Sequence, residues 1–482
     1  MKFLRYALSI GASMYVLVYC CVAIIRINFP FSLEWVEWVS IDNVNRVLCG
    51  QRLYSAPSLE HVSFSYTPLY YYISAIFTKF FGVRLFALRL VSFISSLGCI
   101  YLIFSWVKKE SREIFPGIIA ASLFAATFRL SGAWLDIARV DSLFLLFVLA
   151  ALYILRFKAT KAWYALAGLL ISLAFLTKQT ALIIFFPMAI YCFFLRRNLS
   201  FAFLSSAILV TSVGILVLEA INGSWFFYFA FLIPAKWPVL KNYLLDFWSQ
   251  DIIYSLPVAF IISIWYLLMQ GLRKDRQSLF FYSLFTLGMV SASWICRLKY
   301  GYYNDLMPAY ALISILFGLG ACLAIGQSGL FKGKRRKINE ALVYLLCIVQ
   351  FLILLYNPSY LVPDKKRLKI GNDLVETISF AQGEVFVPSY GYLSAMASKP
   401  TYLHWATVDS IALAGESNVL KKVTGEIAQA LQRHKFSLVV VDGYVKDSFS
   451  NVLIKYYRLV SNRPAPGLCG DYMVFVPKND KY

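Results

Sequence analysis

The chain has 482 residues, 60% of them hydrophobic and only 15% charged, with a mean hydropathy of +0.66. A soluble domain carries about a quarter of its residues as charges, so this composition belongs to a chain solvated mainly by lipid. The net charge of +21 does not point to nucleic acid: the Lys and Arg residues stand in short clusters between apolar runs, as topology signals do.

From the N-terminus, Met1-Lys2-Phe3-Leu4-Arg5 leads into an apolar run with no small-x-small signature before Arg26, which predicts an uncleaved first span. Runs of about 20 mostly apolar residues predict spans near 6–28, 86–106, 114–132, 142–156, 162–176 and 180–195. Further runs fall near 201–219, 252–271, 278–295, 306–325 and 340–356, making about eleven. The dense basic clusters (Lys2/Arg5, Lys108/Lys109/Arg112, Arg156/Lys158/Lys161, Arg196/Arg197, Arg273/Lys274/Arg276, Lys332–Lys337) then fall on one side, which the positive-inside rule makes cytoplasmic. Counting Pro68–Gly82 as a span would break that alternation. The segment is short, Tyr-rich and contains Lys79, so it is expected to lie in the interface.

The other face receives 29–85, 133–141, 177–179, 220–251, 296–305 and everything after 357. Residues 1–357 read as a transmembrane domain and 358–482 as a small extracytoplasmic α/β domain. Strand-like runs lie there at Val385–Pro388, Ser437–Val441 and Tyr472–Val476, with helical patterns around 371–381 and 416–434.

Carboxylates at membrane depth are costly and need a reason. Glu34 and Glu37 follow the first span, three residues apart, and Asp136 and Asp141 flank the turn before the fourth span. Both sets reach the same face. A carboxylate pair there would serve as general base toward an acceptor hydroxyl; the structural alternative is capping, or pairing with Arg46, Arg89 and Arg139. Basic residues on this face also need explaining. Lys178 sits in a short turn, and Arg297 and Lys299 follow another span; with Arg139 they are candidates for holding a lipid phosphate, against simple snorkelling to headgroups.

Six of nine cysteines lie in apolar runs, while Cys49, Cys296 and Cys469 fall outside them, with no spacing that pairs them. The three His residues share no metal-ligand spacing, so no cofactor is indicated, although carboxylates and water would suit a divalent cation. The cluster Tyr390-Gly-Tyr-Leu393, Lys399-Pro400 and His404…Asp409 suits turn and packing roles better than an acceptor lid. Asn-x-Ser sequons stand at Asn198, on the cytoplasmic side, and at Asn222.

The stretch Glu37…Arg46-Val-Leu-Cys-Gly-Gln-Arg-Leu-Tyr54…Tyr66-Thr-Pro-Leu-Tyr70…Gly82…Arg89-Leu-Val-Ser92 resembles the first outer loop of GT-C glycosyltransferases. The likeness is to family 39, the protein O-mannosyltransferases and aminoarabinose transferases. Ala138-Arg-Val-Asp-Ser142 is similar to their second acidic motif, Leu176-Thr-Lys-Gln179 to their Thr-Lys turn, and Asn304-Asp-Leu-Met-Pro308 to a pattern in bacterial relatives. The order and topological position of these motifs carry the resemblance over roughly the first two thirds of the chain. It implies inverting transfer of a sugar from a polyprenyl-phosphate donor, with an acidic residue of the first outer loop as base and basic groups on the departing phosphate. Two departures stand out. Val36 occupies the place of the family's usual Asp, leaving Glu34 as the nearby substitute, so Glu34 and Glu37 are expected to act together. Thr67 replaces a Lys often found before the Pro-Leu motif, which shifts phosphate binding toward Lys178 and Arg297.

The expected protein is therefore a multi-pass inner- or plasma-membrane transferase with its active face extracytoplasmic, acting on a lipid, glycan or protein acceptor. The alternative is a transporter or flippase of lipid-linked saccharides. Transporters place polar residues near the bilayer midplane, whereas here the acidic groups gather at one edge. A structural partner in envelope assembly is a third reading, prompted by the missing Asp.

Overall fold

The computed structural model describes residues 2–273, 275–328, 333–442, 447–463 and 472–478. Helix α1 (Lys2–Ile27) leads into an outer loop holding α2 (Glu37–Leu48) and α3 (Leu69–Phe81). Then follow α4 (Leu85–Ser111), α5 (Ile114–Ala126), α6 (Asp141–Phe157), α7 (Lys161–Thr177), α8 (Ala181–Leu195) and α9 (Arg197–Asn222). Beyond a region of short helical turns come the helices Pro257–Leu272, Arg276–Leu298, Met307–Ser328 and Gly333–Ile353.

Every predicted apolar run coincides with a helix, but not every helix has the length of a span. Among the described residues, five are long and apolar enough to cross a bilayer, or seven if two bent pairs each count as one. The run at 114–132 illustrates the difference. Its helix stops at Ala126, and residues 127–140 turn back through the protein instead of continuing the rod. The run at 252–271 is broken too: Tyr243–Tyr254 and Pro257–Leu272 meet at 101°. A proline at the second helix's first position, where its missing N–H costs nothing, suits that restart. Helix α3, at 13 residues, is about 20 Å long and falls short of the ~30 Å hydrocarbon core. It leaves Ile76, Phe80 and Phe81 exposed.

The bundle has two chemically different ends. At one, Arg5 pairs with Glu113, and Arg156 bonds both Glu110 and Ser278. At the other, the long loops converge. There Gln179 donates to the carbonyls of Ser65 and Ala230 at 2.8 Å each, tying three loops together. Asn222 is consumed in the same way: its side chain donates to Leu218 O and accepts from Tyr54 N, so its sequon is internal.

The C-terminal region is a four-stranded sheet of order β1-β2-β4-β3, with β1 Glu384–Phe386, β2 Phe436–Asp442, β3 Tyr457–Arg463 and β4 Tyr472–Pro477. The β1–β2 pair is parallel and the others antiparallel. Helices Lys365–Phe380 and Ser417–Gln432 occupy the two predicted helical stretches. Strand β3 was not foreseen, because Leu459 and Val460 face solvent from an edge and leave little alternation to read. This region does not float free. Phe31, Trp38 and Tyr70 of the first outer loop share one apolar core with Leu374, Tyr390 and Val439. Leu403 N bonds Leu59 O, and Ser65 Oγ meets Ser410 Oγ at 2.8 Å, so packing runs straight across the 357/358 boundary.

Candidate active site

Glu37 opens α2, where a negative charge suits the helix N-terminus, and its side chain is then locked from every direction. Arg89 of α4 grips both carboxylate oxygens, through Nε at 2.8 Å and Nη2 at 2.7 Å. The amides of Ala138 and Leu33 donate to the same two oxygens. Arg89 also holds the carbonyls of Arg26, Phe29 and Phe31. With 0% exposure on both side chains, this is the bolt that fixes the first outer loop to the turn before α6. Burial pushes the Glu37 carboxyl upward, but Arg89 and the amide bonds outweigh it and hold the group below 4.5.

Glu34 has the opposite environment. Its Oε2 accepts from Val36 N at 3.0 Å and lies 3.9 Å from Arg139 Nη1, while its Oε1 has no hydrogen-bond partner. Burial raises its pKa to about 8, only partly offset by Arg139. Glu34 faces a cavity of about 850 Å³ at the loop-bearing end; Glu37 does not reach it. The pair expected to act together is thus divided between a cavity wall and a structural anchor.

Arg139, Lys178 and Lys299 also line this cavity. Arg139 is 5% exposed, packs 4.7 Å from the Trp134 ring centre and donates to Tyr66 Oη, yet its Nε and Nη1 lack hydrogen-bond partners. Lys178 caps α7 and reaches both Asp141 and Asp305 at 2.6 Å; Asn304 adds a bond to Asp141 at 2.9 Å. Burial alone would lower the Lys178 pKa, but the two carboxylates reverse this and hold the ammonium well above its usual range. Lys299 donates to the carbonyls of Ala235 and Trp237.

The remaining candidates lie elsewhere. Arg297 is bound by Asp251 at 2.8 Å and by Gly301 O, between the rings of Tyr243 and Tyr303, outside the cavity lining. Asp136 sits 3.4 Å from Arg26, where burial raises its pKa. Thr67, standing where a Lys was expected, is wholly buried and donates to Phe175 O. His404 caps helix Trp405–Leu413 and its pKa is pushed down to about 4 by burial, which makes it structural. All described cysteines are free, and Cys469 lies outside the described residues.

Sequence reasoning missed Asp305 and Asp251 as partners of Lys178 and Arg297. The signal was available: buried cations on the face that disfavours them demand nearby carboxylates, and Asp305 follows Lys299 by six residues. As for a cation, Asp141 and Asp305 approach each other only through the Lys178 ammonium. Among the described residues, no three His, Cys, Asp or Glu side chains are arranged to hold one.

Residues 65–225 match the profile of the dolichyl-phosphate-mannose-protein mannosyltransferases. No curated protein matches the chain by sequence. In three dimensions the chain is similar to ArnT from Cupriavidus metallidurans bound to undecaprenyl phosphate, with a TM-score of 0.60 at 11% identity over 97% of this chain and 98% of that one. It is also similar to the oligosaccharyltransferase of Archaeoglobus fulgidus in its apo form, with a TM-score of 0.52 at 12% identity over 97% of this chain and 74% of that one. The chain is accordingly a membrane protein of the GT-C glycosyltransferase fold, similar over residues 65–225 to the dolichyl-phosphate-mannose-protein mannosyltransferases.

Proposed function

We propose that this chain is a glycosyltransferase that moves a sugar from a polyprenyl-phosphate donor to an acceptor hydroxyl, on the non-cytoplasmic face of the plasma membrane. The observation that carries the reading is the meeting, on one cavity, of a carboxylate oxygen and two guanidinium nitrogens that make no hydrogen bond: Glu34 Oε1, and Arg139 Nε and Nη1, whose nearest carboxylates, Asp141 and Glu34, stand off at 3.7 and 3.9 Å. Buried groups left unsatisfied in this way are arranged for a ligand. The ArnT relative was solved with undecaprenyl phosphate, which fits an anionic lipid-phosphate ligand here.

In this reading Glu34 takes the proton of the acceptor hydroxyl. The freed oxygen attacks the anomeric carbon as the bond from that carbon to the phosphate oxygen breaks, inverting the centre. The bond's electrons leave with the polyprenyl phosphate, whose added charge Arg139 receives, with Lys299 at the cavity wall. Lys178 stays between Asp141 and Asp305 and holds the cavity floor in register, bridging α6, α7 and the 302–306 loop.

The test is transfer of radiolabelled sugar from a panel of polyprenyl-phosphate donors in membranes containing the protein or its Glu34→Gln, Glu37→Gln or Asp141→Asn variants. Wild-type transfer that Glu34→Gln abolishes, with the variant inserted and folded, supports the reading. Absence of transfer from every donor, with accelerated movement of lipid-linked sugar across vesicles, would replace it with a transporter.

A further inference from the structure

Two segments that meet at the cavity carry backbone conformations that side chains normally avoid. Gly132 and Ala133 adopt φ of 72° and 60°, and across from them Tyr300 adopts φ of 63°. Left-handed non-glycine residues are uncommon and persist where surrounding structure imposes them. Of the five among the described residues, Tyr300 lines this cavity and Ala133 stands between its lining residues Gly132 and Trp134, whereas Arg112, Ser398 and His434 lie outside the lining. What these turns achieve is visible in the rings they present. Trp134 and Tyr302 stack with centroids 5.0 Å apart and planes at 29°. Trp134 is buried beneath, while Tyr302 is 50% exposed and lines the cavity. Arg139 packs on Trp134 at 4.7 Å, and the ring pair, the guanidinium group and Glu34 all line the same cavity.

Gly132 makes the stack feasible. A Cβ there would stand 3.1 Å from Cε1 of Tyr302 and 3.2 Å from the Trp134 indole, in a backbone region that already disfavours a side chain. The position has room for the rings only if it has no side chain.

We propose that Tyr302, backed by Trp134 and given room by Gly132, is the platform on which the sugar ring of the lipid-linked donor rests. The inference builds on the transferase reading and extends it to the part of the donor that Arg139 does not touch. The ligand class follows from the chemistry of the surface. One face of a pyranose or furanose presents C–H bonds with slight positive charge, which pack against the electron-rich face of an aromatic ring. The cation beside the ring suits the phosphate attached to that sugar. Tyr302 is therefore a binding residue and Gly132 a positioning residue.

The experiment measures equilibrium binding of radiolabelled undecaprenyl phosphate, bare or carrying a hexose or an aminopentose, to the full chain in lipid nanodiscs. Wild type is compared with Tyr302→Phe, Tyr302→Ala and Gly132→Ala, each checked for folding by thermal melting. The expected result is that at least one sugar raises affinity over the bare lipid phosphate by about tenfold, a gain lost in Tyr302→Ala and Gly132→Ala but kept in Tyr302→Phe. Bare undecaprenyl phosphate should bind all four proteins alike. A sugar gain that survives Tyr302→Ala overturns the platform. So does a loss shared equally by the bare lipid, which would assign the rings to the phosphate. Binding of the bare lipid with no gain from any sugar also overturns it, while leaving the phosphate site standing. Failure of every lipid to bind the wild type removes the transferase reading and the platform together.

Discussion

At the residue scale, Glu34 keeps its proton to about pH 8 because burial outweighs the pull of Arg139, so as a base it is active only once that proton is lost. The catalytic efficiency kcat/KM should therefore climb about tenfold per pH unit below the pKa and level off above about pH 8, as a profile between pH 6 and 9 would show. A profile flat across that range would remove Glu34 as base. The same shift has a stability consequence. The folded pKa lies above the free value of 4.5, so the folded state binds more protons between the two, and stability declines as pH rises from 4.5 to about 8. Glu34→Gln mimics the protonated form, so it should melt no lower than wild type at pH 8 while losing transfer. Glu37 carries the opposite sign. Its folded pKa is depressed, so its contribution is full above 4.5 and is lost as pH falls through the folded value. Glu37→Gln leaves the buried Arg89 without its counter-charge, although the carbonyls of Arg26, Phe29 and Phe31 still accept from it, which should cost about 3–5 kcal/mol and appear as a lower melting temperature at pH 7. Transfer per folded molecule should fall far less than in Glu34→Gln. One residue spacing in the sequence thus hides two chemistries.

At the element scale, the bundle is tightest where small residues let helices touch. Gly168 of α7 faces α9 so closely that an added Cβ would stand 2.9 Å from the Ala207 amide nitrogen. Lipid offers no hydrophobic drive for pairing helices, so such backbone approach supplies much of the attraction. Gly168→Leu should separate α7 from α9 and lower stability by roughly 1–3 kcal/mol or more, measured by thermal melting in detergent. Because α7 ends at Lys178, the variant should also lose transfer through the cavity floor. An unchanged melt would mean the two helices have slack that the packing does not show. The elements themselves were readable in the sequence: each apolar run became a helix, and the short Tyr-rich segment became α3, too short to span. Misread lengths arose where a run is apolar because it is buried in protein, as in α5, since burial and lipid select the same residues.

At the scale of the whole molecule, the chain sorts its charges by end. Cationic clusters gather at the end holding Arg5 and Arg156, and the cavity with its matched carboxylates opens at the other. The positive-inside rule then predicts that the cavity end faces outward. Cys49, exposed beyond α2 on that end, tests the direction. With Cys469 replaced by Ser, a membrane-impermeant maleimide added to intact cells should label the protein through Cys49, and Cys49→Ala should abolish labelling. Labelling that requires lysis would invert the orientation. Cys21, exposed on α1 among apolar neighbours, should stay unlabelled because the impermeant reagent does not enter lipid.

What the sequence determined by itself was local or statistical: the membrane class, the helices, the two faces, and the set of charged residues worth asking about. Composition and run length set these without any contact between distant residues. Which charge is free and which is tied was decided only by the tertiary structure. Glu37 meets Arg89 fifty-two positions away, and Lys178 meets Asp305 one hundred and twenty-seven positions away. In a low-dielectric interior a carboxylate's protonation and accessibility depend on the few groups within about 4 Å, and sequence spacing does not encode those neighbours. The same holds for the C-terminal region, which reads as a separate domain because its composition changes. It packs as part of the outer loop because Phe31, Trp38 and Tyr70 need an apolar partner that lipid, on that face, does not provide.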